Sequence, residues 1–159
     1  MKIRYIYKLI ISVIACQCAG LIGSVFTALA IPTWYATLQK PFFTPPNWLF
    51  APAWITLYLL MGISASIVWH HGLDASGVKK SLVTFLIQLV LNALWSVVFF
   101  GFESIIYGMI VIVVLWVAIL LTMIQFYRIK ALAGNLMLPY ILWVTFATVL
   151  NVSLLILNP

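Results

Sequence analysis

Five apolar stretches, each long enough to cross a bilayer, occupy almost all of this 159-residue chain. A helix spans the hydrocarbon core with about 20 apolar residues, so such a chain holds five spans, short links and little else. Hydrophobic residues make up 66% and charged residues 6%, against roughly 45–50% and about 25% in soluble domains. The apolar runs are continuous rather than alternating, which disfavours a β-barrel, and a helix satisfies its backbone polar groups within its own segment. The expected fold is an all-α integral membrane protein: one bundle of five transmembrane helices over residues 1–159, with no separate soluble domain.

The spans are expected at about 9–31, 49–69, 82–102, 105–127 and 132–157. His70-His71-Gly72 to Lys79-Lys80 forms a polar turn between the second and third spans. Phe102-Glu103-Ser104 alone joins the third to the fourth, which makes those two antiparallel neighbours. Lys2, Arg4, Lys8, Lys79, Lys80, Arg128 and Lys130 fall on one side of the membrane and Lys40 on the other. The positive-inside rule then sets the N-terminus in the cytoplasm, with the C-terminus and the Pro-rich first loop outside, an arrangement that suits a bacterial inner membrane. The net charge of +6 is accounted for by contact with anionic lipid heads and calls for no nucleic acid.

The basic start followed by Val13-Ile14-Ala15-Cys16 has the look of a lipoprotein signal peptide. The apolar run continues to Ile31, however, and small residues recur at every fourth position, Ser12, Cys16, Gly20, Ser24 and Ala28. Such a ladder lets another helix approach closely, in this bundle or in a neighbouring copy, and favours a retained span. Cys16 and Cys18 lie on different faces of that span with no His or carboxylate beside them, so packing is expected rather than a disulfide or a metal site.

Catalytic constellations are scarce. Two carboxylates, Asp74 and Glu103, sit in separate turns, which leaves no general acid and base pair. There is no phosphate-binding Gly-rich loop and no HExxH. His70 and His71 are of a type that ligates haem iron, yet they fall at the basic interface, where a solvated pair is expected. No ionisable residue falls in mid-membrane, which disfavours coupled ion transport.

The membrane interior instead holds aromatic and amide groups. Of seven Trp, Trp34, Trp48 and Trp69 fit interfacial belts. Trp95, Trp116 and Trp143 lie well inside their spans, where core packing and a ligand site both remain open. Gln88, Asn92 and Ser96 recur at intervals of four on the third span, with Trp95 alongside. Trp143, Ala147 and Asn151 do so on the fifth, near Tyr140 and Thr148. Amides facing lipid are costly, so both stripes are expected to face inward, either bonding across helices or lining a cavity. Aromatic walls with a few amides or hydroxyls are what a flat, largely apolar ligand requires.

The first loop reads Trp34-Tyr35 to Lys40-Pro41, then Thr44-Pro45-Pro46, followed by Trp54 and Tyr58. With Gln88-x3-Asn92-x2-Trp95-Ser96-x2-Phe99-Phe100-Gly101 and Pro139-Tyr140-x2-Trp143-x3-Ala147-Thr148-x2-Asn151, the chain resembles the translocator protein family, the tryptophan-rich sensory proteins (TspO/MBR), over all five spans. The resemblance implies a pocket opening toward the first loop and closed by it. It implies binding of protoporphyrin, haem or drug-like aromatic molecules as ligands, no obligatory cofactor or metal, and a homodimer. Carried over residue by residue, Tyr35 and Pro45 belong to the lid, Trp54 to the second-span wall, Asn92, Trp95 and Ser96 to the third, and Trp143 and Ala147 to the fifth. Light-dependent porphyrin breakdown in some relatives makes Trp54 and Trp143 the candidates for any catalytic role.

Sterol-binding members carry a Tyr followed by Arg or Lys near the end of the fifth span. Here that stretch is Val149 to Pro159 and lacks the element, which argues against specific sterol recognition. The leading expectation is a receptor or sensor for tetrapyrroles, gated by a loop stiffened by Pro41, Pro45 and Pro46. A porphyrin-consuming enzyme, a porphyrin transporter and a structural protein whose Trp residues merely pack are the alternatives.

Overall fold

The computed structural model describes residues 2–159, with side chains from Tyr5 onward. Lys2 and Arg4 of the charge count lie outside the described side chains. Helix α1 runs Lys2–Ala30, the one-turn α2 Trp34–Thr37, α3 Asn47–His70, α4 Val78–Ser96, α5 Ile105–Ile129, α6 Ala131–Leu136 and α7 Leu138–Leu157. Five units are long and apolar enough to span a membrane: α1, α3, α4 with its π-helical extension Val97–Gly101, α5, and α6 with α7. No strand occurs among the described residues.

Helix ends follow from local chemistry. Pro46 holds the extended backbone that precedes α3, and Gly77 adopts φ 81° before α4, a conformation that costs a residue without Cβ little. The Ser104 hydroxyl accepts from the Tyr107 N–H at the start of α5. The three-residue link from α4 to α5 forces Glu103 into φ 52°, a left-handed value that side chains with a Cβ rarely adopt.

Two spans depart from continuous α-helix. The third widens at Val97–Gly101, where the Phe102 N–H reaches back to the Val97 carbonyl, 2.9 Å away. The wider turn lets both Phe99 and Phe100 face inward and gather around Trp95. The fifth span is two helices rather than one. Pro139 in the first turn of α7 has no N–H to give the preceding turn, so the chain breaks at Met137. The Ser64 hydroxyl of α3 holds α6 in place by donating to the Ala133 carbonyl at 2.7 Å.

Helix α1 lies along α3 and touches α4, while α5 packs against α4, α6 and α7. The small-residue ladder on α1 serves this bundle: Ser12 and Cys16 are buried and Gly20 faces the Tyr58 ring. Gly62 of α3 meets α1 beside this ladder, where an added Cβ would lie 2.6 Å from Val13 Cα. Backbones approach there as closely as small residues permit. Trp116 is a packing residue, its indole N–H donating to the Thr145 hydroxyl of α7 at 2.8 Å.

Candidate functional site

Nearer the loop end of the bundle, α1, α3, α4 and α7 enclose a cavity of about 400 Å³. Three of its walls are aromatic: Phe50, Trp54 and Tyr58 from α3, Trp95 and Phe100 from the third span, Trp143 and Phe146 from α7. The rings brace one another. Trp54 lies 5.5 Å from Tyr58, Phe50 meets Trp143 edge-on at 6.3 Å, and Trp95 stacks on Phe99 at 5.3 Å. The fourth wall is the small-residue face of α1, with Gly20, Gly23, Ser24 and Ala28. A Cβ on Gly23 would come within 2.9 Å of the Ser96 hydroxyl, so this wall is thin because its residues are small.

Beneath Tyr58 runs a chain of buried polar groups. The Tyr58 hydroxyl donates to Asn92 Oδ1, Asn92 Nδ2 donates to the Tyr140 oxygen at 2.8 Å, and the Tyr140 hydroxyl donates to Gln88 Oε1 at 2.9 Å. Three spans are thereby tied together. An unpaired amide in this setting would cost about 1–3 kcal/mol.

Trp54, Trp95, Ser96, Trp143 and Ala147 line the cavity together. Asn92 does not line it: the phenols of Tyr58 and Tyr140 engage both of its amide atoms and leave it 2% exposed, one layer below. Tyr35 and Pro45 also lie off the lining. Tyr35 packs behind Phe100 with ring centroids 5.8 Å apart, and the Lys40 ammonium sits 4.8 Å from its own ring centroid. Burial pushes the Tyr35 phenol above its usual range. The loop reaches the cavity wall through Phe43 against the lining residue Phe146, and Trp34 packs on Phe99 beside it.

The loop is fastened to the end of α7. The Gln39 N–H donates to Asn158 Oδ1 at 2.9 Å, and Asn158 Nδ2 donates to the Gln39 and Leu154 carbonyls at 3.0 and 2.9 Å. The α1 contribution was absent from the residues expected at the site. Gly20, Ser24 and Ala28 were visible only as a packing ladder, and Gly23 and Thr27 carried no signal beyond being small or polar.

Among the described residues, none that lines the cavity is charged. Its polar groups are neutral hydroxyls, amides and indoles, so it suits a flat ligand carrying few charges. Among the described residues no His, Cys or Met lines it either, and the Tyr58 oxygen, an atom of a kind that ligates haem iron, is engaged with Asn92. The lining aromatic rings offer stacking to a flat ring system. His70 and His71 sit at the opposite end of α3, His70 edge-on to Tyr5 at 5.0 Å. Among the described residues no three His, Cys, Asp or Glu come together as a metal site would require.

A family model described as the TspO/MBR family matches residues 12–157. The chain is 46% identical to the tryptophan-rich protein TspO of Archaeoglobus fulgidus over 154 residues, covering 96% of this chain and 98% of that one. It is 41% identical to the Chlorobaculum tepidum protein of the same name, covering 98% of this chain and 99% of the other. With the human translocator protein it shares 34% identity over 74% of this chain and 70% of its relative. An aromatic cavity within five apolar spans, a family match across nearly the whole length and relatives at this level of identity lead to one conclusion: this integral membrane protein belongs to the TspO/MBR family.

Proposed function

We propose that the protein is a membrane receptor that captures a flat, largely apolar molecule, with protoporphyrin or haem as the leading ligands and drug-like aromatic compounds as mimics. The observation that carries this reading is the three-sided aromatic cavity of about 400 Å³, a volume within the range of small-molecule sites. Trp54 and Trp143 bring indole rings to the wall of the cavity, and Ser96 with the α1 hydroxyls supplies the orienting polar contacts. Closure by the loop completes the site, since Phe43 and Tyr35 press on its wall residues Phe146 and Phe100.

The test is a protoporphyrin titration in nanodiscs in the dark, followed by Trp fluorescence. Saturable quenching is expected, with the dissociation constant rising about tenfold, equivalent to about 1.4 kcal/mol, in Trp54→Phe or Trp143→Phe. Absence of saturation in the unaltered protein would refute the reading.

A second reading, light-dependent consumption of the porphyrin, is favoured by the same two indoles lining one cavity. An illuminated porphyrin sensitises dissolved oxygen, and a nearby indole is readily oxidised. Loss of porphyrin absorbance under light that depends on Trp143 would support it, and binding without turnover would exclude it. We also propose that the basic end of the bundle, with Lys8, Lys79, Lys80, Arg128 and Lys130, faces the cytoplasm.

A further inference from the structure

We infer that the ligand enters the cavity sideways, from the hydrocarbon of the bilayer, through a slit between α1 and α3. The inference rests on the receptor reading above and adds the route to it. The two helices are joined where Gln17 Nε2 donates to the Ile55 carbonyl at 3.1 Å. On the basic side of that bond they are pressed together at Val13 and Gly62. On the loop side they part. Leu21, Ser24 and Ala28 of α1 and Ala51 and Ile55 of α3 all line the cavity and are also exposed on the outer surface, Leu21 at 65% and Ile55 at 59%. Residues that share an interior cavity and the outer surface mark its mouth.

The mouth opens on lipid, because both helices are membrane spans. From Leu21 to Ile31 it extends about 15 Å at the helical rise of 1.5 Å per residue. Small side chains, Ser24 and Ala28 against Ala51, border it, and none of the described residues lining it is charged.

Two other approaches are obstructed. At the loop end Tyr35 is 2% exposed behind Phe100, Phe43 covers Phe146, and the Asn158 bonds hold Gln39. A groove between α3 and α7, floored by Pro52 and Pro139, is separated from the cavity by Trp143 and Phe146, which belong to both.

The chemistry agrees with the geometry. A flat apolar solute concentrates in the hydrocarbon, where the slit is, rather than in the water above the loop. The slit reaches the loop-side interface at Ile31 and Asn47, so a ring with charged groups on one edge enters while those groups stay at head-group level.

Stopped-flow mixing of protoporphyrin IX with the protein in nanodiscs, read by Trp quenching in the dark, tests the route. Ala28→Phe and Ala51→Phe narrow the slit from either side. Both positions are exposed, so neither substitution crowds the core. Association and dissociation rates are expected to fall together, each about tenfold or more, so that the rates change more than the dissociation constant. Asn158→Ala, which frees the loop, and Leu142→Trp, which fills the α3–α7 groove, are expected to leave association within about twofold of the unaltered protein. Unchanged rates in both slit variants, or faster association in Asn158→Ala, would overturn lateral entry while leaving the receptor reading intact. No saturable binding by the unaltered protein would remove the receptor reading, and the route with it.

Discussion

Tyr140 joins the cavity floor to the packing of the bundle. Its oxygen accepts from Asn92 and its hydrogen goes to Gln88, while its ring meets Trp54 edge-on at 6.3 Å. Tyr140→Phe would leave Asn92 Nδ2 and Gln88 Oε1 without this partner in a dry interior, at a cost of about 1–2 kcal/mol. Denaturant titration in detergent is expected to show that loss, and no change in stability would mean the network is dispensable. The inward stripe Gln88, Asn92 and Ser96 was legible because an amide in lipid is costly. Its division into two bonded amides and one cavity hydroxyl was not, because that depends on two phenols from other helices. The same limit applies to the interior tryptophans. Trp116 found a hydroxyl partner on α7 and became packing, whereas Trp95 and Trp143 face the cavity.

Between elements, the contact of α1 with α3 governs the shape of the site. Gly62→Val would place a branched side chain against the Val13 backbone, which yields only if the helix moves. Overpacking of this kind costs about 1–3 kcal/mol, and thermal unfolding in detergent is expected to show a lower midpoint. The loop is the second such element. Its Tyr35 phenol is buried and neutral, with its pKa raised above the ordinary 10.0. The stability this contributes is fully present below that ordinary value and is lost as pH rises through the raised one. Amide hydrogen exchange corrected for pH is therefore expected to show the Gln39 segment loosening above about pH 10. A Tyr35→Phe protein should not show that step. The family resemblance implied a lid in the Pro-rich loop; Tyr35 lies behind the lining residue Phe100, and Phe43 of the same loop meets the lining residue Phe146.

For the molecule as a whole, charge separates the two ends of the bundle. Among the described side chains, Lys40 is the basic residue of the loop end, opposite Lys8, Lys79, Lys80, Arg128 and Lys130. If that basic end faces the cytoplasm, as proposed, a membrane-impermeant maleimide applied to intact cells is expected to label Phe42→Cys, whose native side chain is fully exposed, and to spare Asp74→Cys, both in a Cys18→Ser background. The reverse pattern would invert the topology. Five spans, their order and their short links followed from sequence alone, since bilayer thickness sets a length and an apolarity that each segment meets independently of its neighbours. Only the tertiary structure decided that the ladder of α1 is a cavity wall above Gly20 and a packing surface below it. The fifth span likewise breaks at Met137 under the constraint of Pro139, and the π turn brings two phenylalanines inward. These outcomes depend on the rotation and spacing of helices against one another. Many small contacts between residues distant in the chain set that rotation, whereas entering the membrane is a property of each segment by itself.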